Sequence, residues 1–269
     1  MGGQPLLEAA SLRRLATRIR MRATDMVAIQ GFGYLGQAMS SAEIFAVLFG
    51  GIWRIGHDRF VVSPGHYVIS LYAAAAELGL LDPAELAQYG ADGSALEAIG
   101  SERTPVADLV CGSLGQGLSG AIGFALAAQL AGEDRCVFAF LSDGEMEEGQ
   151  IWEAAMFAAH RRLNRLVAVI DANNSQVDGP VTSVTTLEPL AEKWRAFGWR
   201  VAEVDGHDVV ALTEAFASRH DGAGPLAIIA RTEILGRMHA IPPTVDGHFI
   251  KLDADLKAAI MRELEAALA

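Results

Sequence analysis

The chain has 269 residues, is 51% hydrophobic and carries a formal net charge of -12. That length can bury a sizeable core, and so acidic a balance excludes binding nucleic acid through its phosphates. Two cysteines, Cys111 and Cys136, have no metal-ligand spacing and make no disulfide scaffold, so the expected setting is a reducing cytoplasm.

The opening Met1-Gly2-Gly3-Gln4-Pro5 has no apolar signal core. Residues 6–29 have helical periodicity, with Leu12, Leu15, Ile19 and Met26 on one stripe, and Gly31-Phe32-Gly33 ends the helix. Ser40-Ser41-Ala42-Glu43 reads as a cap before an apolar helix at 44–49. Arg59-Phe60-Val61-Val62 reads as a short strand and Ser63-Pro64-Gly65 as a turn. A helix at 66–78 and a shorter one opened by Asp82-Pro83 follow. Residues 90–104 are glycine-rich and read as a loop. The uncharged run 109–132 has membrane-spanning length, but its regular glycines favour a buried helix, so no membrane association is expected.

The second half alternates. Residues 136–141, 166–170 and 226–230 are continuous apolar runs, as in strands buried on both faces. Residues 199–204 alternate and suit a strand nearer an edge. Helical stretches at 149–163, 187–197 and 209–217 lie between them. The pattern implies an α/β fold with a mostly parallel central sheet and helices on both faces. The economical organisation is one domain over residues 1–269, with an N-terminal helical extension and an amphipathic helix at 252–268 closing it.

The strongest chemical signal follows the first apolar run: Ser142-Asp143-Gly144-Glu145. The next run ends at Asp171-Ala172-Asn173-Asn174-Ser175. Ligands of parallel α/β sheets bind outside the carboxyl ends of the strands, where Asp143 and Asn173 would both sit. A carboxylate and an amide oxygen are hard ligands for Mg²⁺ or Ca²⁺, whose shell phosphate oxygens and water complete. Gly144 would let a diphosphate approach the backbone, and the following helix N-terminus favours an anion. Either residue alone would be an ordinary polar group after a strand; the pair, with a βαβ unit between, points to a metal–diphosphate site. Gly112-Ser113-Leu114-Gly115-Gln116-Gly117 is a glycine-rich turn opening an apolar helix, suited to close contact with a flat ring. Asp205-Gly206-His207-Asp208 reads as the cap of the helix at 209.

These residues carry a resemblance. Asp143-Gly144 followed thirty positions later by Asn173 resembles the thiamine-diphosphate motif of the transketolase family, with Ser142 at its first glycine. The 59–66 segment, the 112–117 loop, the 145–152 and 194–199 stretches and Asp205-Gly206-His207-Asp208 each resemble transketolase segments as well, so the similarity runs over about residues 31–232. It implies the family's α/β diphosphate-binding domain, holding thiamine diphosphate and Mg²⁺, with Ca²⁺ or Mn²⁺ as substitutes. Asp143 and Asn173 would ligate the metal through side chains and Ser175 through its backbone carbonyl. Gly112, Ser113, Leu114, Gly115, Gly144, Glu145 and His66 would contact the cofactor. His66 and His248 would face the substrate; His239 is the other candidate for the latter position. Glu148, expected to be buried near its helix start, would join an acidic network between paired sites or serve only as a helix N-terminal carboxylate.

Two positions depart from the family pattern: Tyr34 and Ile99 stand where transketolases have histidines that contact the sugar. The resemblance therefore implies transfer of a ketol unit between substrates that need not be the ordinary pentose phosphates. A subunit of a thiamine-dependent 2-oxoacid decarboxylase or dehydrogenase, and a catalytically degenerate regulatory subunit, are the alternatives. The family's activating glutamate lies on a pyrimidine-binding domain that follows this one. The expected partner is thus a transketolase-like C-terminal subunit supplying that glutamate, in a heterotetramer of two pairs acting on a ketose or 2-oxoacid.

Overall fold

The structure, a computed structural model, describes residues 5–269. The expectation for the start of the chain falls on residues 1–4 and lies outside the described residues. Six strands, β1 (Arg59–Val62), β2 (Leu109–Val110), β3 (Val137–Ser142), β4 (Leu166–Ala172), β5 (Arg200–Asp205) and β6 (Leu226–Arg231), form a parallel sheet in the order β2-β1-β3-β4-β6-β5. The principal helices are α1 (Ala9–Gln30), α2 (Leu35–Val47), α3 (Val68–Glu77), α4 (Gln116–Ala131), α5 (Gly149–His160), α6 (Leu190–Ala196), α7 (Val209–Ala217) and α8 (Ala254–Leu268).

Helices cover both faces of the sheet, which is why its central strands are apolar without a break. On β3, Phe138 and Phe140 enter one core cluster while Val137, Ala139 and Leu141 enter the other. The alternation is that of the pleat. The first cluster is filled by Leu15 of α1, Phe45 of α2, Leu71 of α3, Phe216 of α7 and Ile260 of α8. The second is filled by Leu118 of α4, Ile151 of α5 and Trp194 of α6. Burying each such side chain contributes roughly 1.5–3 kcal/mol. Strand β5 pairs only with β6 and is half-buried, as its alternating pattern anticipates.

The reading of residues 40–49 needs correction. Helix α2 begins at Leu35, and Ser40 and Ser41 lie inside it. Both lie beyond the first turn of α2, where the backbone N–H groups are already bonded within the helix, so the two hydroxyls cannot cap. Ser41 donates to the Gln37 carbonyl at 2.6 Å and Ser40 to Asp171 at 2.6 Å. A mid-helix serine that returns its proton to the preceding turn or to a buried acid carries the same sequence signature as a cap. The stretch Leu35–Ile52 is apolar and long enough to cross a membrane by composition, but 94% of it is buried inside this fold.

Strand order reverses between β1 and β3, and the carboxyl ends of β1, β3, β4 and β6 open on one edge of the sheet. Such a switch point leaves a crevice where ligands bind. Away from the sheet, Phe32–Gly33 pairs antiparallel with Ile250–Lys251. This ladder carries the loop that precedes α8 back to the start of α2, across the mouth of the crevice.

Candidate functional site

Each strand that ends at the crevice delivers a polar residue. Asp143 follows β3, Asn173 follows β4, Thr232 follows β6 and Ser63 follows β1. Asp143 is 4% exposed; its Oδ1 accepts from the Gly144 amide at 2.9 Å and its Oδ2 from the Asn174 amide at 2.6 Å. Asn174 reaches that position with φ of 58°, in the left-handed region that asparagine tolerates. Burial, and then the neighbouring Asp171 carboxylate, push the Asp143 carboxyl up to about 7.

Asp171, the last-but-one residue of β4, was quoted in the motif but given no role. It is fully buried and accepts from Ser40 at 2.6 Å, Tyr67 at 2.8 Å and Asn173 Nδ2 at 3.0 Å, and also from Thr232. Burial raises its carboxyl despite those donors. Asn173 Nδ2 also donates to the Tyr67 hydroxyl at 2.9 Å. With its amide nitrogen so engaged, Asn173 turns its Oδ1 towards the Ser175 amide, at 2.9 Å. Asp171 thus sets the orientation of Asn173. The available signal was a carboxylate at the buried end of an apolar strand, two residues before the asparagine.

The glycine-rich turn is held by Glu145, which has no exposed surface. Glu145 accepts from the Gly115 amide at 2.7 Å, from the Ser142 amide at 3.1 Å and from the Ser63 hydroxyl. Burial pushes its carboxyl up to about 7, although these bonds oppose the shift. Glu145 was expected to touch the cofactor; wholly enclosed, it can only hold the 112–117 turn in place. Glu148 also differs from expectation. It is exposed, because the short turn Gly144–Glu147 sends Glu145 and Met146 inward and leaves Glu147 and Glu148 outside. Gly115 has φ of 83°, and a Cβ there would lie 2.9 Å from Glu148 Cβ.

His66, Gly112, Leu114, Gly144, Glu148, Ser175 and His248 line one open cleft of about 330 Å³, together with Ile99. Asp143 lines a second cavity, of about 380 Å³, with Asn174, Arg231 and Thr232. The Asp143–Gly144 and Asn174–Ser175 links stand between the two. Ser113 is exposed on the glycine turn, and Asn173 lies buried beneath the loop rather than on either wall. His239 is on an exposed turn tied to α8 through Glu263, away from the cleft. His66, His248 and Tyr34 form an aromatic group, with ring centroids 5.2 Å apart for the two histidines and 5.4 and 5.9 Å from Tyr34 to His66 and His248. Burial, then the charge of His248, bring the His66 imidazolium down to about 3, so His66 is neutral. Burial lowers His248 as well.

The Asp-Gly-His-Asp turn does more than cap. Asp208 accepts from the Val210 amide at 2.9 Å, as expected. His207 in addition meets Glu43 at 3.1 Å and accepts from the Glu233 amide at 3.0 Å, while Arg20 holds both Glu43 oxygens at 2.7 Å. This buried chain fixes the segment that carries Thr232 to Asp171.

By chemical type, three oxygens near the strand ends could serve a hard divalent ion. Asp143 offers a carboxylate, Asn173 an amide oxygen and Ser175 a backbone carbonyl, a set that leaves several positions for phosphate oxygens and water. Among the described residues no cluster of three or more His, Cys, Asp or Glu is gathered for a metal; this set contains one carboxylate and otherwise neutral oxygens. The electrostatics agree. Glu147, Glu148 and Asp178 line the cleft, and none of its described lining residues is Lys or Arg. A cation between a bound diphosphate and these carboxylates would offset their repulsion.

Comparison with known proteins bears on this geometry. The family model described as "Transketolase, thiamine diphosphate binding domain" matches residues 11–266. An uncharacterised transketolase family protein of Sinorhizobium fredii is 38% identical, over 95% of this chain and 96% of its own length. A 6-deoxy-6-sulfo-D-fructose transketolase subunit of a Clostridium species is 36% identical, over 94% of this chain and 96% of its own. Human transketolase is 36% identical over 82% of this chain but only 37% of its own length. A solved transketolase from Pichia stipitis superposes with a TM-score of 0.84 at 27% identity, over 96% of this chain and 41% of that one. The chain thus spans about two fifths of the full-length enzymes and nearly all of the two shorter relatives.

Proposed function

Because the chain belongs to the transketolase family, through that family's thiamine diphosphate-binding domain, we propose that it is the diphosphate-binding subunit of a two-subunit enzyme that transfers a ketol unit. The carrying observation is the Asp143–Asn173 pair, buried at neighbouring strand ends beside the cleft that Gly144 and Ser175 line. Residues 1–269 act as one binding domain, a reading supported by α1 and α8 sharing a core with the sheet.

Asp143, Asn173 and the Ser175 carbonyl hold Mg²⁺, with Ca²⁺ or Mn²⁺ as substitutes. Gly144 and the Gly112–Gly115 backbone lie against thiamine diphosphate, and Glu145 keeps that backbone in place. When bound, the cofactor supplies the carbanion and electron sink for carbon–carbon cleavage. Neutral His66 and His248 orient the substrate's oxygens by hydrogen bonds. Glu148, exposed at the rim of the cleft, meets the partner.

The activating glutamate comes from that partner, a transketolase-like C-terminal subunit, in an assembly of two such pairs. The similarity, nearly end to end, to a relative described as a transketolase subunit supports this. The test is turnover by the purified chain with thiamine diphosphate and Mg²⁺. Full activity without a second polypeptide overturns the two-subunit reading.

Tyr34 and Ile99 shape substrate choice. A phenol donates a hydrogen bond but is no base near neutral pH, and burial raises the Tyr34 hydroxyl further. Ile99 does neither. The substrate is therefore a ketose less hydroxylated, or differently shaped, near the reacting carbon. Assaying the complete enzyme with xylulose 5-phosphate and ribose 5-phosphate checks it; turnover as fast as with any other donor contradicts it.

A further inference from the structure

Gln37 lies in the first turn of α2 and is 1% exposed. Its Nε2 is 3.1 Å from His248 Nδ1, and its buried Oε1 has no partner among the described residues. Exchanging the amide's nitrogen and oxygen would satisfy Oε1 through a protonated Nδ1. As placed, Nε2 gives one proton to the imidazole and Oε1 is left bare. An under-satisfied carbonyl oxygen is commoner than an orphaned buried N–H group, and the structure has Nε2 towards the imidazole.

From this we infer that Gln37 is a positioning residue that fixes the tautomer of His248: Nδ1 accepts from the amide, and the ring proton sits on Nε2. His248 lines the cleft, and its Nε2 has no protein partner among the described residues. It therefore presents a hydrogen-bond donor to the substrate and not a base. Two further contacts hold the arrangement. The His248 amide donates to Asp246 at 2.9 Å, and a Cβ on Gly36 would fall 1.9 Å from the Gly247 carbonyl oxygen, so the loop seats directly on the helix that carries Gln37. The inference rests on the reading of this cleft as the substrate-facing site. Its test needs neither cofactor nor turnover.

The experiment is ¹⁵N NMR of the His248 imidazole in the full chain near pH 7.5, in wild type and in Gln37→Glu and Gln37→Met. The wild type should show an unprotonated Nδ1 with a through-hydrogen-bond ¹⁵N–¹⁵N coupling to the Gln37 side-chain nitrogen. Gln37→Met should lose the coupling. Gln37→Glu, which can only accept, should move the proton to Nδ1. A wild-type Nδ1 that carries the proton overturns the assignment without any variant, as does a Gln37→Glu chain whose Nδ1 stays bare. Failure of the site reading shows separately, as absence of thiamine diphosphate binding by a chain whose tautomer is as stated.

Discussion

The Asp143 amide donates to the carbonyl oxygen of Asp171 at 3.1 Å, so two carboxylates from neighbouring strand ends are held side by side out of water. They are treated differently. Asp171 accepts from four side chains, whereas Asp143 receives only two backbone amides. Asp171 is therefore the structural acid and Asp143 the one with lone pairs to spare. A cation beside Asp143 removes the repulsion that the buried pair otherwise bears.

Gly117→Ala should damage the glycine turn. A Cβ at Gly117 would lie 2.4 Å from Ser63 Cβ and 2.6 Å from its Cα, and Ser63 also accepts the Gly117 amide at 3.0 Å. Overpacking of this kind costs about 1–3 kcal/mol. Urea denaturation should show that loss, and thiamine diphosphate should bind more weakly. An unchanged midpoint would mean that the turn has room the structure does not show.

Glu145→Gln should destabilise the chain although it conserves shape. One amide oxygen can still take the Gly115 and Ser63 protons, but the amide nitrogen then faces the Ser142 N–H. A buried donor left without an acceptor costs about 1–3 kcal/mol. The check is the denaturation midpoint of the apo chain, where a cofactor contact would leave no trace.

His66 predicts a pH dependence of stability. Its folded value is near 3 against an ordinary 6.5, so the folded state binds fewer protons than the unfolded chain between those values. This contribution is whole above about pH 6.5 and is lost as pH falls towards 3. Between pH 7 and pH 5 the loss is on the order of 2 kcal/mol. Denaturation at both values should show a steeper fall for wild type than for His66→Gln. Parallel falls would place His66 in a wetter site.

Much of this was legible in the sequence because the sheet is covered on both faces: unbroken apolar runs marked β3, β4 and β6, and the residues just past β3 and β4 marked the site. Burial at turns was not legible. Glu145 and Glu148 share a motif and a charge, and only the short turn at Gly144–Glu147 decides that the first goes inside and the second outside. Ser40 looked like a cap because a hydroxyl before an acidic residue gives no sign of a buried aspartate 131 positions away. The approach of Gln37 to His248, 211 residues apart, depends on the two-residue ladder at Phe32–Gly33, too short to leave a pattern.

The central claim is a metal-dependent diphosphate site at Asp143, and calorimetric titration of thiamine diphosphate into the chain, co-purified with any polypeptide that accompanies it, tests that claim most directly. With Mg²⁺ present binding should be seen, and both a chelator and Asp143→Ala should abolish it while the fold, followed by circular dichroism, persists. Binding that survives the chelator, or that is undiminished in Asp143→Ala, would contradict the account.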